Sequence, residues 1–104
     1  MLLEGKNAIV TGGSQGIGAA ISLDLAREGA KVVVTDIDVE SGESVVNAIV
    51  QDGGEALFLY QDVADETRWE EIMTETTQRF GGLDILVNNA GILLMKPIGD
   101  TTVD

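Results

Sequence analysis

The 104-residue chain contains no cysteine and no histidine. The first absence excludes disulfides, thiolate catalysis and Cys-ligated zinc within it. The second excludes a His-based triad and a His metal cluster, so no metal site and no catalytic group of these kinds is expected. Basic residues are scarce as well: 6 Lys and Arg stand against 18 Asp and Glu, a net charge of −12. A nucleic-acid partner needs a basic footprint to neutralise phosphates, and an anionic membrane surface asks for the same, so neither is expected. Any phosphate-bearing ligand must then be held mainly by backbone N–H groups. No apolar run approaches membrane-spanning length, and the stretch Met1 to Asn7 lacks the apolar segment of a signal peptide, which makes a cytoplasmic location the expectation. Repeats and low-complexity runs are missing too.

What is present suffices for one compact domain with a real core: 44% of the residues are hydrophobic and 13 are glycine. Short β-like runs alternate with longer helical ones. Ala8 to Thr11 is a brief strand run, and Ile17, Ile21 and Leu25 mark one face of a helix from Gly16 to Glu28, stopped by Gly29. Lys31 to Asp36 is β-branched and continuous, as a parallel strand covered on both faces is. Val45, Val46, Ile49 and Val50 stripe a helix from Ser41 to Asp52, which Gly53 and Gly54 end. Ala56 to Gln61 reads as a third strand. Asp65 can cap a third helix with Trp69, Ile72, Met73, Thr76 and Phe80 on its apolar face, ended by Gly81 and Gly82. Leu83 to Val87 reads as a fourth strand. Beyond Gly91 the pattern fades into a loop, with Asp100 or Thr101 as plausible caps of a further helix. The order βαβαβαβ predicts an α/β parallel sheet with right-handed crossovers.

Between the first strand and first helix lies Thr11-Gly12-Gly13-Ser14-Gln15-Gly16-Ile17-Gly18. Strand, glycine turn and helix N-terminus form the arrangement that holds a pyrophosphate, because glycines allow close backbone approach and the helix end presents N–H groups and a positive partial charge. The spacing G-x-G-x-x-G is not met, since Ile21 stands where the last glycine belongs. The phosphate loop of nucleotide hydrolases fails too, with Ala19 and Ala20 in place of Lys and Ser/Thr. Asp36 ends the second strand, 18 residues after Gly18. An acid there can accept hydrogen bonds from adenosine ribose hydroxyls and repels a 2′-phosphate, and neither Gln15 nor Ile37 supplies a compensating cation. NAD is expected over NADP.

Thr11 to Gly18, Asp36, Asp62-Val63 and Asn88-Asn89-Ala90-Gly91, in this order and on these elements, resemble the short-chain dehydrogenase/reductase family over nearly the whole chain. The resemblance implies a doubly wound, Rossmann-type parallel sheet with strand order 3-2-1-4, in which Gly12, Ser14, Gly16 and Gly18 form the cofactor turn, with Gln15 and Ile17 toward the pyrophosphate and nicotinamide. It implies that Asp62 bonds the adenine amino group beside the Val63 backbone. Asn88 would lie against the cofactor, and Asn89, Ala90 and Gly91 would brace the sheet centre. The family's chemistry resides in a Tyr-x-x-x-Lys pair with an upstream Ser and a further Asn, and none can be assigned here. The only tyrosine, Tyr60, precedes Ala64 by four positions and is expected to be a core side chain of a buried strand.

Residues 1–104 are therefore read as the N-terminal portion of a dinucleotide-binding domain, with the catalytic portion absent and the fold apparently truncated after the fourth strand, leaving Ile85 to Val87 on an open edge. The expected whole is an NAD-dependent oxidoreductase acting on an alcohol or carbonyl, a homo-oligomer at full length, and inactive as these 104 residues alone. Two other classes stay open: a non-catalytic NAD-holding module, and a half-fold completed by association through its edge.

Overall fold

The computed structural model describes residues 2–62 and 65–88 of the chain. Seven elements follow one another: β1 (Asn7–Thr11), α1 (Gly16–Arg27), β2 (Lys31–Asp36), α2 (Val39–Gln51), β3 (Ala56–Tyr60), α3 (Glu66–Phe80) and β4 (Ile85–Asn88). The strands pair in parallel, as the alternating pattern predicts, and in the order β3-β2-β1-β4 that the family resemblance implies. Register sets Val10 opposite Val34 on one side and opposite Val87 on the other. The chain reverses its direction of travel across the sheet between β1 and β4, and the crevice at that reversal opens at the carboxyl ends of the strands.

Period-2 alternation divides the core between two faces. Ala8, Val10, Val32, Val34 and Val87 pack on Leu25 of α1 and on Val45 and Ile49 of α2. Ile9, Val33 and Leu59 face the other way, against Ile72 of α3. Strand β2 needs its unbroken Val32-Val33-Val34 run because both of its faces are covered; all three are fully buried. Each helix ends at the glycine expected to stop it, Gly29, Gly53 or Gly81.

Several boundaries differ from the sequence reading, and four of them have a visible cause. Helix α2 starts at Val39 rather than Ser41, because the Asp38 side chain accepts the Ser41 N–H at 3.1 Å and so sets the first turn earlier. Strand β3 stops at Tyr60, and Gln61 N–H instead donates to the Asp36 carbonyl at 3.0 Å. Strand β4 runs Ile85–Asn88 rather than from Leu83, since Asp84 is used otherwise: its carboxylate accepts the Asn7 N–H at 2.9 Å. Asn7 in turn donates from its amide to the Phe80 and Gly82 carbonyls, both at 3.1 Å, which opens β1 one residue early and ties it to the end of α3.

The expectation that Tyr60 is a core side chain is wrong. It is 49% exposed, because β3 is an edge strand and Tyr60 is its last residue, opposite Asp36 at the rim of the sheet. At the opposite edge, β4 pairs only with β1 among the described residues; Val87 is buried while Ile85 and Leu86 are part-exposed. No helix among the described residues is long and apolar enough to cross a membrane.

Candidate functional site

The carboxyl ends of β1, β2 and β4 bring together the glycine turn, Asp36 and Asn88. The turn owes its shape to a few contacts. Gly13 donates to the Thr35 carbonyl at 3.1 Å, and Ser22 of α1 donates its hydroxyl to the Gly18 carbonyl at 2.9 Å and to that of Gly13 at 3.3 Å. A Cβ on Gly13 would lie 2.8 Å from the Val10 carbonyl oxygen, so backbone passes too close there for any side chain. Gly12 and Gly16 adopt left-handed φ of 62° and 54°, and a side chain on Gly16 would meet nothing within 4 Å. The turn is thus closed toward the core and open toward the crevice.

The three helix N-termini differ in a way that matters for an anion. Asp38 caps α2 and Asp65 caps α3, each through its carboxylate. Helix α1 has no acid in its first turn, and Gln15, its cap residue, makes no side-chain cap bond. On a chain of net charge −12, the glycine turn therefore feeds an acid-free helix end whose first-turn N–H groups have no partner further back in the helix. That donor set suits a diphosphate.

Asp36 is part-exposed and faces this turn. Its Oδ2 accepts from the Ser14 hydroxyl and, at 3.3 Å, from the Ser14 N–H. Its Oδ1 accepts from the N–H groups of Ile37 at 2.7 Å and Asp38 at 3.4 Å. The carboxylate is oriented before any ligand arrives. Ser14 is buried, Gly18 is buried, and Gln15 and Ile17 project outward, Ile17 with 72% exposure. Thr11 joins β1 to the end of β4, its hydroxyl 3.0 Å from Asn88 Oδ1 and 3.4 Å from the Val87 carbonyl, so the half-buried Asn88 side chain is fixed at the crevice. Asp62 is exposed just past β3. Val63, Asn89, Ala90 and Gly91 lie outside the described residues.

Two features were not foreseen. Asp38 forms a bridge to the glycine turn: Gln15 Nε2 donates to Asp38 Oδ2 at 2.8 Å, and the Ser41 hydroxyl donates to the same oxygen at 2.9 Å. The Ser41 N–H, the Ser41 hydroxyl and Gln15 hold the Asp38 carboxyl below the usual carboxylate range. The spacing Asp38-x-x-Ser41 carried the cap signal; the reach to Gln15 joins residues far apart in sequence and carried none. Second, Gln61 is buried with neither amide atom bonded among the described residues, and the buried Thr35 hydroxyl has no partner among them either. A mixed-charge cavity of about 400 Å³ also exists at the amino ends of the strands, lined by Glu4, Arg27, Gly29, Lys31, Asp52 and Gly53 among others. Arg27 and Lys31 there already lie against Asp52 and Glu55, at 3.9 Å each, and the turns that line it follow the C-terminal ends of α1 and α2, which present carbonyls rather than N–H donors. Ligands of open parallel sheets bind at the other end, and the candidate site is placed there.

The sequence profile of the family described as short chain dehydrogenase matches residues 6–104. A Thermotoga maritima protein described as an uncharacterized oxidoreductase is 44% identical over 97 residues, covering 93% of this chain and 38% of its own length. A solved dehydrogenase/reductase from Sinorhizobium meliloti superposes with a TM-score of 0.83 at 49% identity, over 97% of this chain and 40% of that one. A metagenomic short-chain oxidoreductase solved in complex with NADP gives a TM-score of 0.83 at 42% identity, over 88% of this chain and 42% of that one. The chain thus spans about two fifths of the length of the relatives it matches.

Proposed function

The chain belongs to the short-chain dehydrogenase family, and from that premise we propose that residues 1–104 are the N-terminal, dinucleotide-binding portion of an NAD-dependent oxidoreductase acting on a small alcohol or carbonyl compound. The observation that carries this reading is Asp36, its carboxylate held by Ser14 beside the acid-free N-terminus of α1 at the switch point of the sheet. In this reading the N–H groups of Gly16, Ile17 and Gly18 hold the diphosphate, Asp36 accepts from the adenosine ribose hydroxyls, and Asp62 with Val63 reads the adenine. Asn88, held by Thr11 at the end of β4, lies against the cofactor. Ile17, an exposed apolar side chain beside the phosphate turn, excludes water from the nicotinamide end. When bound, the nicotinamide supplies the hydride chemistry.

The metagenomic relative was solved with NADP, so the fold by itself does not exclude a 2′-phosphorylated dinucleotide. The preference for NAD rests on this chain's own residues: an acid at position 36 and no cation at 15 or 37. A Tyr-x-x-x-Lys pair does not occur within residues 1–104, so proton transfer to the substrate oxygen needs groups from elsewhere in the gene product.

The test is the full gene product assayed for reduced-nicotinamide absorbance with a panel of alcohols and carbonyls, alongside its reading frame and intact mass. The expected result is a Ser and a Tyr-x-x-x-Lys beyond residue 104, with turnover that is lost on Tyr→Phe at that pair. NAD binding without any such residues and without turnover would replace the oxidoreductase by a non-catalytic NAD-holding module.

A further inference from the structure

Among the described residues, Arg68 is the one cation at the carboxyl ends of the strands, in the first turn of α3. Lys6 precedes β1, Lys31 begins β2, and Arg27 and Arg79 lie in the last turns of α1 and α3, all at the amino ends. The Arg68 side chain is also better held than the other arginines, 26% exposed against 57% for Arg79 and 61% for Arg27. Its Nε donates to the Tyr60 carbonyl at 2.8 Å, and its Nη1 to Glu71 Oε1 at 3.1 Å. That carbonyl lies on the open side of the sheet. The N–H of Gln61, in the same planar trans peptide, donates to the Asp36 carbonyl of β2, so the Tyr60 oxygen points away from β2. An edge strand ordinarily leaves such an oxygen to water; here Arg68 takes it. The last peptide of β3 is thereby clamped between β2 and α3. Just beyond it the Asp62 carbonyl accepts the Asp65 N–H at 2.9 Å. Asp62, exposed at the rim, stands between these two fixed points.

We propose that Arg68 is a positioning residue for adenine recognition, whose Nε bond to the Tyr60 carbonyl fixes the turn that presents the Asp62 carboxylate. The inference rests on the assignment of the adenine to Asp62. Capping of α3 does not need this bond, since the Asp65 carboxylate takes the Thr67 and Arg68 N–H groups by itself, at 3.1 and 3.2 Å. Pairing of β3 does not need it either, because its register with β2 runs on the other side of the strand. What the bond does is join the strand before Asp62 to the helix after it. Asp36 is fixed separately, by Ser14 and by the N–H groups that follow it. One adenosine can meet both acids only if their spacing is held, and Arg68 holds the Asp62 side of it. A carboxylate accepts from the exocyclic amino group of adenine and repels the exocyclic oxygen of hypoxanthine, so preference for adenine over hypoxanthine reports how well Asp62 is placed.

Arg68→Gln and Arg68→Met separate the bond from the charge. A glutamine amide nitrogen lies as many bonds from Cα as the arginine Nε and can donate to the same carbonyl, whereas methionine has similar length and no donor. Both remove the charge and the contact with Glu71. Titration calorimetry of the full gene product with NAD and with nicotinamide hypoxanthine dinucleotide reads the preference. Arg68→Met is expected to reduce the preference for NAD about 5- to 10-fold, the effect of one hydrogen bond, and Arg68→Gln to stay within about twofold of the parent. Arg68→Ala, a second variant without a donor, should follow Arg68→Met. An unchanged preference in the two donor-free variants, or equal weakening of both dinucleotides, would reduce Arg68 to a clasp on the sheet edge and overturn the inference. A loss in Arg68→Gln as large as in Arg68→Met would overturn it as well, by assigning the effect to charge. Asp62→Ala, run in parallel, keeps the two readings apart. If the preference does not depend on Asp62, the adenine placement itself fails and the inference falls with it. Dependence on Asp62 together with an unchanged preference in Arg68→Met removes the inference alone.

Discussion

Asp36→Ala is expected to weaken NAD binding to the full gene product by about 10- to 100-fold, since a hydrogen bond to a charged group contributes about 1.5–3 kcal/mol and each 1.4 kcal/mol is a factor of ten. The carboxylate is prepared for this role before binding. Ser14 holds Oδ2, and the Ile37 and Asp38 N–H groups hold Oδ1, so the side chain does not have to be ordered when the ribose arrives. The same substitution removes a repulsive charge, so NADP affinity should fall less than NAD affinity or rise. Asp36→Asn separates the two contributions: it keeps an acceptor but loses the charge. Because Asp36 is part-exposed at the rim, its loss should leave the melting temperature close to that of the parent protein. Unchanged NAD affinity in Asp36→Ala, measured by titration calorimetry, contradicts the ribose assignment.

The largest effect on the fold is expected at Gly42, at the end of the first turn of α2. Glycine inside a helix ordinarily invites replacement, since Ala is better by about 1 kcal/mol there. Here Gly42 is buried against β3, and a Cβ would stand 2.1 Å from Phe58 Cε1 and 2.2 Å from Cδ1. The ring would have to leave its place between α2 and the sheet. Overpacking of that kind costs about 1–3 kcal/mol and at times more, which exceeds the propensity gain. Gly42→Ala should therefore lower the melting temperature, by about 4–8 °C for each net kcal/mol in a domain of this size. Phe58→Leu gives the built-in control. In that background the Cβ has room, and Gly42→Ala should become neutral or stabilising. A higher melting temperature for Gly42→Ala with Phe58 in place would show that α2 does not sit on β3 as described.

The parts of the fold legible in the sequence are those encoded by residues close together in the chain. The β-branched run from Lys31 to Asp36 marks β2 to the residue, and the glycine after each helix marks where it stops. Parallel pairing through right-handed crossovers follows from the alternating pattern, whereas the placement of β4 beside β1 rather than beyond β3 was implied only by the family resemblance. The exposure of Tyr60 was hidden because its strand looks the same whether central or at an edge; among the described residues β3 pairs only with β2, which makes Tyr60 a rim residue. Gly42 looked like an ordinary helix residue until α2 lay against Phe58. In the site, the glycine turn and Asp36 were visible as types at a spacing. The grip of Ser14 on Asp36 and of Gln15 on Asp38 was not, since these pairs meet only once β1 and β2 lie side by side. The burial of Gln61 and Thr35 without partners has no signature in a linear pattern at all.

The central claim is that the dinucleotide lies at the carboxyl ends of the strands, across the glycine turn and Asp36. Amide NMR of the isotopically labelled full gene product, titrated with reduced NAD, tests it most directly. The account predicts that the shifts centre on Gly12 to Gly18, Asp36 and Asn88, while Gly29, Gly53 and Gly54 at the amino ends stay in place. Shifts gathered at those three glycines around the opposite cavity, or none at the glycine turn at saturating ligand, would contradict it.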